Sequence, residues 1–245
     1  MTVPRFFAPL DLAPADVGSV VTLPDAAAHH ATRVVRLAAG DTLTLFNGAG
    51  GEYAATLVSV DRKRVAARID AFDPVERESP LPVTLAQAVA ANDVMDYAIR
   101  KAVELGVTAI APLVTERSAP LPPGERADRR LAHWRQIVIA ACEQCGRNRV
   151  PEVARAQALG DWLAAWRGAG IVLAPDGATT LATLAAPTGP LALLVGPEGG
   201  LGASEVATAA ALGFARLRLG PRILRTETAG VATLALLQSA WGDFR

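Results

Sequence analysis

Two segments in the last third of this 245-residue chain follow one pattern, and they constrain its fold more than any other feature. In the first, the apolar run Leu191–Val195 meets Gly196-Pro197-Glu198-Gly199-Gly200-Leu201-Gly202 and continues into a helix-forming stretch, Ser204–Leu212. In the second, Ala215–Leu219 meets Gly220-Pro221-Arg222-Ile223-Leu224-Arg225 and then a helical stretch, Thr226–Ala240. A buried strand that enters a glycine turn and leaves as a helix is the unit of a parallel α/β sheet. In such sheets ligands bind beyond the carboxyl ends of the strands. Four glycines in residues 196–202 exceed what a tight turn needs, and they let a ligand approach the backbone closely. The plain alternative is a strand-to-helix connection with no ligand. Ser204, and either Thr226 or Thr228, are the expected helix N-caps. The glycine spacing does not fit Gly-x-Gly-x-x-Gly, and no Gly-Lys-Ser/Thr follows a glycine loop, so dinucleotide and Walker-type phosphate sites are not expected.

The alternation of strand and helix begins only after residue 82. Val83–Val89 reads as a strand, Asp93–Leu105 as a helix ended by Gly106, Thr108–Val114 as a strand, Asp128–Cys145 as a long helix and Ile171–Ala174 as a strand. Before it come short strands at Val20–Leu23, Asp41–Phe46, Glu52–Val60 and Arg64–Asp70. A hairpin turn lies at 47–51, and the one helical candidate is Ala26–Arg36. Small all-β modules of this length are often barrels. Between the two patterns, Asp73–Pro82 carries Pro74, Pro80 and Pro82 among charges, which reads as a linker. The expected organisation is a β module over 1–72, a linker over 73–82 and an α/β domain over 83–245.

Net charge is zero, so composition argues neither for nor against a nucleic-acid partner, because a basic patch can sit on a neutral molecule. Cys142 and Cys145 have redox spacing but fall inside a predicted helix. With His29, His30 and His133 as the only histidines, no metal site is expected. No secretory leader is recognisable at Met1–Leu12, and no apolar run approaches the roughly 20 residues of a membrane span. The expectation is a soluble, cytoplasmic protein with no membrane partner. Trp134, Trp162, Trp166 and Trp241 are expected in the core or at an interface.

The glycine segments also carry a resemblance. Gly196-Pro197-Glu198-Gly199-Gly200-Leu201 and Leu219-Gly220-Pro221-Arg222-Ile223-Leu224-Arg225-Thr226-Glu227-Thr228-Ala229 resemble the RsmE family of SPOUT methyltransferases. So do Lys101–Val107, Glu116-Arg117-Ser118, and Ala141–Arg147 leading to Val150-Pro151. In the first module, Arg5-Phe6-Phe7 and His30–Leu37 resemble the family's RNA-binding part. The resemblance spans nearly the whole chain, with the motifs in order.

It implies a fold that patterning alone could not supply: a SPOUT-type parallel-sheet α/β domain with a C-terminal trefoil knot, preceded by a small PUA-like β-barrel. It implies methylation of N3 of one uridine in small-subunit (16S) ribosomal RNA, with S-adenosylmethionine as donor. The partners implied are that RNA, within the assembled small subunit, and a second copy in a homodimer. Donor-binding positions expected on this basis are Leu194, Val195, Gly196, Pro197, Glu198, Gly199, Leu219, Gly220, Pro221, Ile223, Leu224, Thr228 and Ala229. Leu194, Leu219, Ile223 and Leu224 are the expected apolar walls for adenine, and Pro175 a further lining residue.

Uridine N3 is a poor nucleophile until it loses its proton. Arg225 is therefore expected to stabilise the anion, and Glu198 or Glu227 to take the proton. Arg5, His30, Arg33, Arg36, Arg117 and Arg147 are the expected RNA contacts. Each of these charged residues has a plainer reading as a surface charge or structural ion pair. Two rival functions stay open. One is the same fold acting on a tRNA base or a ribose 2′-hydroxyl; the other is a non-catalytic ribosome-assembly protein that binds RNA.

Overall fold

The structure is a computed structural model and describes residues 3–61, 64–120 and 124–244. The chain forms two compact units. One comprises residues 1–78 together with 142–150, and the other residues 79–141 together with 151–245.

The first unit contains β1 (Arg5–Phe7), β2 (Val20–Thr22), α1 (Asp25–His29), β3 (Thr42–Phe46), β4 (Glu52–Val60) and β5 (Val65–Asp73). The strands join in the order β1-β3-β4-β5-β2, with β1 parallel to β3 and the other pairs antiparallel. Alternation decides the core. On β4, Tyr53, Ala55 and Leu57 are buried while Ala54 and Val58 are exposed, as a strand with one covered face requires. These side chains pack with Phe6, Leu43, Leu45, Ala67 and Ile69, and α1 covers them with Ala27. The expected helix Ala26–Arg36 is shorter in its α-helical part. After His29 it widens into a π turn, His30–Val34, and stops where Arg36 takes φ +65°.

The segment 142–150 is held to this unit by charge and hydrogen bonding. Arg5 donates to Asn148 Oδ1 at 2.8 Å and pairs with Glu52, which Arg77 also reaches at 3.0 Å. Asn148 donates to the Val75 carbonyl at 2.8 Å. Buried Arg147 is paired with Glu78. Burial alone would push the Glu52 carboxyl up, but hydrogen bonds and charge from Arg77 and Arg5 hold it below its ordinary value. Cys142 is buried, and burial pushes its thiol up to about 12. That is the reverse of what a reactive cysteine needs.

The second unit is the parallel sheet the glycine turns require. Its elements are β6 (Val83–Ala88), α2 (Asn92–Glu104), β7 (Ala109–Val114), α3 (Glu125–Cys145), β8 (Glu152–Val153), β9 (Gln157–Ala158), α4 (Leu159–Ala165), β10 (Ala169–Leu173), β11 (Leu191–Val195), α5 (Ala203–Ala211), β12 (Ala215–Leu217) and α6 (Thr226–Trp241). The last four residues of α3 belong to the first unit. Every pairing in the sheet is parallel, in the order β12-β10-β11-β6-β7-β8, with β9 beside β7.

All five residues of β11 are buried, as expected of a central strand covered on both faces. Ala192 and Leu194 pack with Val172, Ala86 and Ala111 against Leu159, Trp162 and Leu163 of α4 and Ala209 of α5. Alternate residues face the other side, where Val195 Cγ2 lies 3.7 Å from the Cβ position of Gly230 in α6. No helix among the described residues is long and apolar enough to cross a membrane.

Three further details, all around the glycine turns, differ from the sequence expectation. The last strand ends at Leu217 and not Leu219, because the Arg218 N–H turns away to the Thr179 carbonyl. Gly202, not Ser204, is the N-cap of α5, since the Glu205 carboxylate accepts the Gly202 N–H at 2.8 Å. Neither Thr226 nor Thr228 caps α6. Arg225 holds that position, and Thr226 is the first helical residue.

Candidate functional site

At the carboxyl ends of β10, β11 and β12 lies a cavity of about 820 Å³. Its walls come from three connections, residues 174–176, 195–201 and 217–227, with Val206 and Ala207 of α5 and Ala229 of α6. The location follows from the fold. Parallel strands direct the loops at their carboxyl ends to the same edge, so the glycine turns after β11 and β12, with β10 between those strands, meet there.

The glycine loop after β11 is folded tightly on itself. A Cβ at Gly196 would sit 2.9 Å from the Leu201 backbone nitrogen, so only glycine fits. Glu205 fixes this loop from below. One carboxylate oxygen accepts the Gly202 N–H, and the other accepts the Glu116 N–H at 2.9 Å, which ties the 115–118 turn to the start of α5. Arg117 then lies over Gly199 and donates to its carbonyl at 3.1 Å. Thr226 donates to the Gly196 carbonyl, and buried Gln87 on β6 donates to the Thr226 hydroxyl at 3.1 Å. The starts of both post-glycine segments are thereby locked together at the end of β11.

The wall is mixed. Leu173, Ala174, Leu217, Leu219, Leu224 and Val206 give apolar surface, while Asp176, Glu198 and Glu227 give carboxylates. Arg117, Arg216, Arg218, Arg222 and Arg225 also line it. Arg216 pairs with Asp176 at 2.7 Å, and its hydrogen bond holds the Asp176 carboxyl below the ordinary range. Glu198 is partly committed, because its Oε1 accepts the Ala91 N–H at 2.8 Å where α2 begins. Among the described residues, no side-chain hydrogen bond or ion pair engages Arg225 or Glu227. Arg225 is exposed and Glu227 half-buried.

Of the residues expected around the donor, Val195, Gly196, Pro197, Glu198, Gly199, Leu219, Gly220, Ile223, Leu224 and Ala229 line this cavity, as do Arg225 and Glu227. Leu194, Pro221 and Thr228 do not. The Leu194 side chain is packed in the sheet core, because alternation turns it away from the strand end. Ile223 borders the cavity but is 87% exposed, so it makes an edge and not a wall. Pro175 does line the cavity, joined by Asp176 and Arg216, which no sequence motif marks. Glu205 also lies outside the expected set, although a glutamate three residues after a helix start is a recognisable capping signal.

The expected RNA contacts divide. Arg33 and Arg36 are exposed, and His30 is half-buried beside Glu143 at 3.4 Å. Arg117 borders the cavity. Arg5 and Arg147 require correction, because their guanidinium groups are spent within the first unit on Glu52, Asn148 and Glu78. No cluster of three or more metal-ligating side chains occurs among the described residues.

Comparison with known proteins bears on the same regions. A family model for an RNA methyltransferase domain matches residues 77–238, and one for an RNA methyltransferase PUA domain matches residues 23–70. Ribosomal RNA small subunit methyltransferase E of Buchnera aphidicola is 31% identical, over 99% of this chain and 96% of its own length. The protein of that name from Synechocystis is 35% identical, over 91% of this chain and 74% of its own. Among solved structures, the Neisseria gonorrhoeae ribosomal RNA small subunit methyltransferase E bound to S-adenosyl methionine superposes with TM-score 0.92 and 40% identity, over the full length of both chains. A Legionella pneumophila protein with bound cofactor SAM gives TM-score 0.95 and 37% identity, again over both full lengths.

Proposed function

The chain belongs to the ribosomal RNA small subunit methyltransferase E family, and from that premise we propose that it methylates N3 of one uridine in small-subunit (16S) ribosomal RNA, with S-adenosylmethionine as donor. One observation carries this reading: two glycine loops enclose a cavity that offers carboxylates and, on its rim, an uncommitted arginine.

The residues present suit the donor. Its adenosine needs apolar walls and close backbone approach, which Leu173, Leu219 and Leu224 and the glycines at 196, 199 and 220 provide. Its net positive charge suits the carboxylates of Glu198 and Glu227. When bound, it supplies a methyl on a sulfonium, an electrophile that requires no metal.

The chain's own task is to prepare the acceptor. Glu227 is the better placed of the two candidate bases, since one oxygen of Glu198 is already occupied by the Ala91 N–H. Glu227 takes the N3 proton, directly or through one water. The negative charge left over N3, O2 and O4 falls to Arg225, two residues earlier at the start of α6, whose guanidinium has no other partner among the described residues. The lone pair on N3 then bonds to the methyl carbon as its bond to sulfur breaks.

The first unit, including Arg33 and Arg36, is assigned to RNA, and the second to the donor. A trefoil knot fits the path of the chain. After edge strand β12 it returns to mid-sheet, where Thr226 meets Gly196 and Gly230 abuts Val195. A homodimer acting in the cytoplasm on the assembled small subunit completes the reading. Calorimetry with S-adenosylmethionine tests its base. One saturable site is expected in the wild type, with affinity lost on Gly196→Val; an absence of binding would refute the assignment of the cavity.

A further inference from the structure

We infer that Arg218 and Arg222, on the loop between β12 and α6, form a phosphate clip that holds the acceptor RNA strand at the mouth of the donor cavity. The inference rests on the methyltransferase reading above and deepens it. Both residues line the cavity, and both are exposed. Among the described residues, neither side chain has a hydrogen-bond or ion-pair partner. Their neighbour Arg216, in the same strand-to-loop segment, is by contrast neutralised by Asp176. The loop that carries them is anchored. The Arg218 N–H donates to Thr179 O at 3.1 Å, and the Gly220-Pro221 turn, with Gly220 at φ +71°, separates the two arginines.

Unmatched cations at this rim need an explanation, because the donor is itself a net cation. Its sulfonium and ammonium outnumber its one carboxylate, so two further arginines repel the donor on balance, and only that carboxylate gives them a contact on it. The acceptor has the opposite character. A base buried in structured RNA must leave its stack to reach a catalytic cavity. Its ribose and the phosphates on either side then come to rest at the rim. Arginine is suited to that contact, since its planar fork matches phosphate oxygens in pairs. With Asp176 already matched by Arg216, the cations left unmatched in this segment, among the described residues, are Arg218, Arg222 and Arg225, which suit a polyanionic acceptor.

The test compares the wild type with R218A/R222A and R218K/R222K, using small ribosomal subunits that lack the modification. Binding is measured across a salt series, donor affinity by calorimetry, and methyl transfer under single turnover. The clip predicts weaker particle binding by the alanine pair and a shallower salt dependence, by about 0.7–0.9 in slope per lost phosphate contact. It predicts a raised half-saturation for particles with a near-wild-type rate at saturation, recovery of most of the binding in the lysine pair, and donor affinity equal to or tighter than wild type. An alanine pair with wild-type particle affinity and salt slope would overturn the inference. So would weakened donor binding, which would place the arginines on the donor, or a shift in oligomeric mass with an unchanged slope, which would place them at a subunit contact. A wild type that transfers no methyl to any ribosomal RNA would instead remove the parent reading, and the clip with it.

Discussion

The arginines of the two units differ in what holds them. In the first unit, Arg5, Arg77 and Arg147 meet Glu52 and Glu78 at short range, and Asn148 accepts a further hydrogen bond from Arg5. At the cavity of the second unit, Arg218, Arg222 and Arg225 stand on a short loop with no side-chain partner among the described residues. The sequence presents the two sets alike, as arginines with nothing to mark which of them has a partner. The difference is one of accounting. Removing a matched, buried charge leaves its partner stranded, so such residues report on stability. A charge left unmatched beside a cavity adds little to the fold and is available to a ligand.

This contrast fails if the two sets respond alike to substitution. The largest effect is expected for Arg225→Ala. Single-turnover methyl transfer should fall by about 10²–10³ if its guanidinium faces the developing anion, with the unfolding midpoint and donor affinity preserved. An unchanged rate would remove Arg225 from the chemistry. Arg147→Met should do the opposite, costing about 3 kcal/mol in urea unfolding because Glu78 is left partly buried without its cation, while the surviving folded protein still binds donor. A smaller effect is expected at Glu205, which belongs to neither set. Glu205→Ala strips two backbone N–H groups of their acceptor and should cost about 1–2 kcal/mol. It should also weaken donor binding, because the glycine loop loses its anchor; Glu205→Gln should recover part of both.

The smallest effect is one of pH. The Glu52 carboxyl is held below its ordinary value of 4.5 in the folded state. Its contribution to stability is therefore complete above that value and is lost as pH falls through the lower, folded one. Glu52→Gln should flatten the acid limb of a stability–pH profile below about 4.5. A variant whose acid limb matches wild type would mean that the Arg5–Glu52–Arg77 group does not act as a matched cluster.

Much of the second unit was legible in sequence because its signals are local. An apolar run, a glycine turn and a helix-forming stretch declare a parallel strand–helix unit wherever they stand, and the β11 and β12 loops met at one cavity as that rule requires. Errors arose where a tertiary partner overrode a local preference. Thr226 has a good capping side chain, but the Gly196 carbonyl claims its hydroxyl. Leu194 lies next to the glycine loop in sequence, yet strand alternation sends its side chain into the core. Ser204 lost the cap of α5 because Glu205 reaches back to Gly202.

The segment 142–150 shows the limit most clearly. Nothing in Cys142-Glu143-Gln144-Cys145-Gly146-Arg147-Asn148 announces that the end of a long helix belongs with the first unit. Long-range pairs such as those with Arg5, Val75 and Glu78 reveal it. The sequence makes Arg5 and Arg147 look like RNA contacts for the same reason, since it shows a cation but not its partner.

The claim on which the account turns is the identity of the acceptor atom. Labelled S-adenosylmethionine should be incubated with the protein and with small ribosomal subunits from cells lacking the modification, and the modified nucleoside located by mass spectrometry. The account predicts one methyl per particle, on N3 of a single small-subunit uridine. Tight donor binding with no label in small-subunit RNA, or label on a tRNA base or a ribose 2′-oxygen, would contradict it.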